Sequence, residues 1–291
     1  MHLDENFFRE EIRCGYKVSE KMKKVWAVEL NLLEQFDKLC RENNLQYFVD
    51  SGTLLGAVRH QGFIPWDDDI DVVMFRDDYE KLKIIAKDAV SSPYFYQNSY
   101  NDLMIWAFSK LRDSRTTAIE FPDFPQEFHQ GIFIDIFPLD DVPDGERMKP
   151  VIGRMQREIW MSVVDPEGLK KLIDQGQSMA MGAEVLMELL KMQVRERLDV
   201  FEQFNLSQFG KSSEVCFITD YFLEIPSVKR EWYSEVVYLP FENMMVPAPA
   251  EYEKYLKCRY GDYMAPVQAP NMHEGIFLDP ETPYTKYINK L

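Results

Sequence analysis

The run Asp67-Asp68-Asp69-Ile70-Asp71 leads directly into Val72-Val73-Met74-Phe75, so several carboxylates stand at the head of an apolar segment. On a strand, side chains alternate between faces. Asp67, Asp69 and Asp71 then project together, while Ile70, Val72 and Met74 pack on the other side. Three like charges at that spacing repel one another, and a dication between them relieves the repulsion. Hard oxygen donors of this kind suit Mg2+ or Mn2+. The rival readings are an exposed acidic turn and a calcium loop. The calcium loop fails, because its sixth position is Val72 where Gly is required and its twelfth is Asp78 in place of Glu.

The elements that must hold these acids are read from periodicity. Met22, Val25, Trp26, Leu32, Leu33, Phe36 and Leu39 recur at helical spacing over 18–42, and Asn43-Asn44 ends that helix. A short strand over 47–49 runs into Ser51-Gly52-Thr53, a Gly-containing turn that can offer backbone amides to a phosphate. A short helix over 54–59 follows, and Gly62 and Pro65 mark a turn before the acidic strand. Asp77 is placed to cap a helix running to Ala89, which Ser91-Ser92-Pro93 stops. Strand patterns then cover 94–97, 103–111, 116–121 and 131–137, the last with Phe133, Asp135 and Phe137 on one face. Helical spacing dominates 145–205, with segments over 147–164 and 184–204 and breaks at 165–168 and 176–182. A strand over 235–241, a helix over 249–260 closed by Gly261 and an irregular tail complete the chain. The expected organisation is a catalytic core over 1–144, a helical region over 145–210, and a segment over 211–291 that completes the same domain.

Composition narrows the class. With 291 residues and 46% hydrophobic content the chain can bury a sizeable core, and no repeat or low-complexity tract interrupts it. A net charge of −16 opposes binding to nucleic acid or to an anionic bilayer, although bound metal would turn the acidic site toward phosphorylated small molecules. Cys14, Cys40, Cys216 and Cys258 form no C-x-x-C pair, so they read as free thiols. The N-terminus lacks a basic stretch followed by an apolar one, and no apolar run reaches the ~18 residues that a membrane span needs. A cytoplasmic protein is expected, with peripheral attachment at the inner face of the membrane left open. His273, beside Glu274, reads as a surface or packing residue.

The block from Tyr47 to Asp71, containing Ser51-Gly52-Thr53-Leu54-Leu55-Gly56-Ala57-Val58-Arg59-His60 and Pro65-Trp66-Asp67-Asp68-Asp69-Ile70-Asp71, resembles the hallmark of the LicD family, bacterial phosphocholine transferases related to fukutin and fukutin-related protein. Lys110-Leu111-Arg112, the run from Gly131 to Asp140, and Tyr260-Gly261-Asp262-Tyr263-Met264 are similar to later family blocks. The resemblance implies a nucleotidyltransferase-like mixed sheet in an α/β (α+β) fold with an added helical region. It also implies metal-dependent transfer of phosphocholine from CDP-choline to a hydroxyl of a glycan or lipid-linked glycan acceptor, such as a precursor of lipopolysaccharide, teichoic acid or capsule, with release of CMP. In that scheme Asp67, Asp69 and Asp71 hold the metal. Asp135, a lone acid on an apolar strand, is either a further ligand or the general base. Ser51, Gly52, Thr53, Arg59, His60, Lys110 and Arg112 are the phosphate partners. Trp66 is the first suspect for the choline ammonium, ahead of Tyr94, Tyr96, Tyr100 and Trp106. Two rivals stay open: the same chemistry with CDP-ribitol, CDP-glycerol or nucleotidyl transfer, and a catalytically silent nucleotide-binding or scaffold protein in glycan assembly.

Overall fold

The computed structural model describes residues 3–102, 105–120, 127–142, 149–208, 210–218, 225–268 and 275–287. Helices and strands are interleaved along the chain, as the α/β reading expects. The chain divides into two compact units, Met1–Pro138 with Ser234–Leu291, and Leu139–Tyr233.

The first unit opens with a hairpin of β1 (Glu11–Arg13) and β2 (Tyr16–Val18), followed by α1 (Glu20–Glu42). Ser19 caps α1 by accepting from the Met22 amide, and the apolar stripe that includes Val25, Trp26, Leu32, Leu33 and Phe36 is buried. Then come β3 (Phe48–Val49), α2 (Ser51–His60), β4 (Asp71–Phe75), α3 (Arg76–Ala89), β5 (Tyr94–Gln97), β6 (Ser109–Asp113), β7 (Thr117–Ile119) and β8 (Ile132–Val142). Their main sheet has the order β3-β4-β8-β6-β5. Phe48 pairs with Val73 across β3 and β4, and Lys110 pairs with Asp135 across β6 and β8. That register sets one acid of interest beside one cation of interest.

In the second unit, the end of β8 pairs with β9 (Glu214–Cys216), which pairs with β10 (Val228–Lys229). Its helices are α4 (Lys149–Val164), α5 (Pro166–Asp174), α6 (Ala183–Leu189) and α7 (Val194–Gln208). Back in the first unit, β11 (Val236–Phe241) and β12 (Met244–Pro249) form a hairpin. α8 (Tyr252–Tyr260) closes at Gly261 with a φ of 65°, and β13 (Phe277–Asp279) pairs with β7. The positive φ at the helix end is why glycine stands there.

Several expectations are corrected. The acidic strand begins at Asp71, so Asp67, Asp68 and Asp69 precede it in irregular backbone, where alternation between faces no longer applies. Ser51-Gly52-Thr53 is the first turn of α2 and not a separate loop. α3 starts at Arg76 with Phe75 in the cap position, which places Asp77 inside its first turn, where its charge still favours the helix end. The expected helix over 184–204 is two helices, and the second is started by Glu196, whose carboxylate accepts from the Gln193 amide at 2.7 Å. At the expected break over 165–168, Asp165 caps α5 directly by accepting from the Gly168 amide. The β1–β2 pair, β12 and β13 carry too few alternating residues to register as strands, and β12 also holds two prolines. His273 lies outside the described residues, as do the first two positions of the expected strand over 103–111 and the last of that over 116–121. Among the described residues no helix is long and apolar enough to cross a membrane.

Candidate active site

The acids are held by the junction of β3, α2 and β4. The Asp50 amide donates to the Asp71 carbonyl at 3.1 Å, and the Asp71 amide donates to Thr53 Oγ1 at 2.8 Å. These bonds tie the first turn of α2 to the first residue of β4. Ser51 enters the helix with a φ of 46°, a conformation that costs a non-glycine residue energy and that often marks a working site. The amides of this first turn have no partner one turn back and form a natural anion seat. A Cβ on Gly52 would sit 2.6 Å from Asp67 Oδ2, so only glycine lets that carboxylate lie against the helix. Asp67 is fixed from both sides: its amide donates to the Ile64 carbonyl, and its own carbonyl accepts from Trp26 Nε1, each at 3.0 Å. Trp26 in turn stacks on Phe63 at 4.6 Å.

A cleft of about 540 Å3 opens here, lined by Ser51, Gly52, Arg59, Trp66, Asp67, Asp69 and Asp71 together with Tyr260, Asp262, Tyr263, Ala265 and Val267 from farther along the chain. One oxygen from each of Asp67, Asp68 and Asp69 lies within 4.8 Å of the others. Burial first, and then the charges of Asp69, Asp135, Asp67 and Asp50, hold the Asp71 carboxyl well above the usual carboxylate range. Asp135, on β8, is 5% exposed and does not line the cleft, and its amide donates to the Ile70 carbonyl at 2.8 Å. A purely oxygen donor set this crowded with negative charge fits a hard dication and would repel a diphosphate without one. Arg59 is the one basic side chain lining the cleft among the described residues.

The other expected phosphate partners are placed differently. Lys110 is 2% exposed and Arg112 is fully buried, and neither lines the cleft. Lys110 pairs with Asp135 at 2.9 Å and Glu120 at 3.2 Å, with its ammonium 3.4 Å from the centre of the Phe133 ring. Arg112 pairs with Glu120 at 2.9 Å and donates to the Gly131 carbonyl at 2.8 Å. His60 is also off the cleft wall. Its Nε2 accepts from Arg59 Nε at 2.9 Å, and burial together with Arg59 and Arg13 pushes its pKa down to about 4, so the ring is neutral at pH 7. Arg59 Nη1 donates to the carbonyls of Tyr263 at 2.9 Å and Ala265 at 3.4 Å, which fixes that part of the lining. Thr53 is buried behind the wall as the acceptor for Asp71.

Of the aromatic suspects, Trp66 lines the cleft, whereas Tyr94, Tyr96, Tyr100 and Trp106 do not. Tyr94 donates to Asn31 at 2.6 Å and Tyr96 to Ser109 at 2.9 Å. Tyr260, Asp262 and Tyr263 were not singled out as candidates, although the Tyr-Gly-Asp-Tyr-Met block carried the signal. Burial, followed by Asp50 and Asp71, pushes the Tyr260 hydroxyl up. Asp68, which the strand reading leaves out of its acid set, lies with Asp67 and Asp69 in the structure. Glu29 gave no signal at all on an apolar helix stripe.

A family model described as LicD/FKTN/FKRP, nucleotidyltransferase domain, matches residues 44–171. Over 240 residues the chain is 27% identical to the lipopolysaccharide cholinephosphotransferase LicD of Haemophilus influenzae, a match covering 81% of this chain and 88% of that protein. It is 47% identical over 128 residues to an uncharacterized protein of Rickettsia typhi, covering 39% of this chain and 38% of that one. With an uncharacterized protein of Rickettsia prowazekii the identity is 40% over 89 residues, covering 30% and 32%.

Proposed function

The chain is a member of the LicD family and a transferase of phosphate-containing groups, and from that premise we propose that it moves phosphocholine from CDP-choline to a hydroxyl of a cell-surface glycan precursor, with release of CMP. The observation that carries this reading is that one cleft is lined both by the acids Asp67, Asp69 and Asp71 and by Trp66, Tyr260, Tyr263 and Asp262. A quaternary ammonium cannot donate a hydrogen bond, and it is held by aromatic faces and nearby negative charge. A diphosphate needs the opposite, which the acids provide only through a metal ion.

Asp67, Asp68 and Asp69, whose oxygens lie within 4.8 Å of one another, would hold Mg2+ or Mn2+, with Asp71 beside them in the cleft lining. Such an ion would neutralise the diphosphate oxygens and the charge that develops on departing CMP. The rest of the work falls to the chain. The amides at the start of α2 seat phosphate oxygens, and Arg59 adds one guanidinium at the rim. Asp135, whose charge bears on Asp71, is either a further ligand or the group that takes the acceptor hydroxyl's proton. The nucleotidyltransferase-like core and a cytoplasmic location, at or near the inner face of the membrane, belong to the same proposal.

A donor screen tests it. Purified protein with Mg2+ or Mn2+ is expected to release CMP from CDP-choline in the presence of a glycan acceptor, and a chelator is expected to abolish the release. Release only from CDP-ribitol or CDP-glycerol would overturn the choline assignment while keeping the chemistry. No release from any donor, with nucleotide still bound, would favour a silent binding protein.

A further inference from the structure

Helix α1 brings to the acid cluster one carboxyl that none of the steps above uses. Glu29 is 2% exposed, and its Oε2 has no hydrogen-bond partner. One turn earlier on the same face, Trp26 donates to the Asp67 carbonyl at 3.0 Å, which fixes this stretch of α1 against the acidic turn. The charges that bear on Glu29 are, in falling order, those of Asp68, Asp69, Asp67 and Asp135. An orphaned carboxyl oxygen buried under the charge of four other carboxylates is costly, so something must repay it.

Direct ligation is not the arrangement seen. The group of oxygens lying within 4.8 Å of one another comprises Asp67, Asp68 and Asp69, and Glu29 is not among them. A dication such as Mg2+ keeps several of its waters when bound, and each of those waters has hydrogens to donate. We propose that Glu29 is a positioning residue for the metal site, its Oε2 accepting a hydrogen bond from a water carried by the ion. The inference rests on the metal reading above and adds to it a residue contributed by α1, an element outside the acidic motif. Outer carboxylates of this kind orient what the ion binds and typically change its affinity by about 10–100-fold.

The experiment is a Mn2+ titration followed by electron paramagnetic resonance, on the wild-type chain, Glu29→Gln, Glu29→Met and Asp69→Asn. Each is also melted in chelator. The expected result is about 10–100-fold weaker Mn2+ binding in both Glu29 variants, with melting in chelator unchanged or raised because a buried repulsion has been removed. The methionine variant covers the case in which the glutamine does not fold. Affinity within twofold of wild type in a folded Glu29 variant overturns the proposal and leaves Glu29 as a buried space-filling carboxyl. If the wild-type chain binds no Mn2+, or Asp69→Asn binds as tightly as wild type, the metal reading itself falls, which is a different outcome.

Discussion

Asp69→Asn and Asp71→Asn are each expected to lower CMP release by about 10^3-fold or more, equivalent to roughly 4 kcal/mol of barrier. Two effects oppose each other in these variants. Each substitution removes one member of a mutually repelling set, and Asp71 is the more strained of the two because it is desolvated as well as crowded by Asp69, Asp135, Asp67 and Asp50. The folded protein without metal is therefore expected to melt no lower than wild type, and calorimetry in chelator measures this. The same substitution removes a charged oxygen donor, and transition-state charge is left without its counter-ion. For turnover the second effect wins by a wide margin, while for stability the first one does. Near-normal CMP release from both variants would remove the proposed mechanism.

What could be read from the chain alone follows the range of the forces involved. The acids at Asp67, Asp69 and Asp71 and the glycine at Gly52 are local signals, and they meet in one cleft. The helix over 20–42 announced itself because its buried stripe repeats along one face. Alternation gives no place to Asp68, because it treats the four residues Asp67–Ile70 as strand where the backbone is irregular up to Asp71. Tyr260 and Tyr263 reach the cleft from about 200 positions downstream, and no spacing rule brings such distant residues together. Lys110 and Arg112 show a further limit. Alternate cations on a strand look the same whether their face meets a ligand or an internal acid, and only the Lys110–Asp135 register decides between them.

Lys110→Met is expected to destabilise the protein by about 3–5 kcal/mol, measured by urea unfolding, because it strips the counter-charge from carboxylates that stay buried. Lys110 stands at 2.9 Å from Asp135 and 3.2 Å from Glu120, and all three side chains are almost fully enclosed. Arg112 continues to hold Glu120, so the loss falls chiefly on Asp135. Methionine fills a similar volume, which leaves the packing on Phe133 largely in place and isolates the charge effect. Adding Asp135→Asn to that background should recover part of the lost stability, since the stranded charge is then gone. A phosphate-binding role makes the contrary forecast: a raised KM for the nucleotide donor with urea stability unchanged. A change of less than about 1 kcal/mol would sink the buried-pair account.

Arg59 grips the cleft lining through the main-chain carbonyls of Tyr263 and Ala265, not through their side chains. Because the grip ignores side-chain identity, substitutions among those neighbours leave the architecture standing. Under the proposed chemistry, the wall facing the transferred group is then free to vary while the acid-bearing end of the cleft stays as it is.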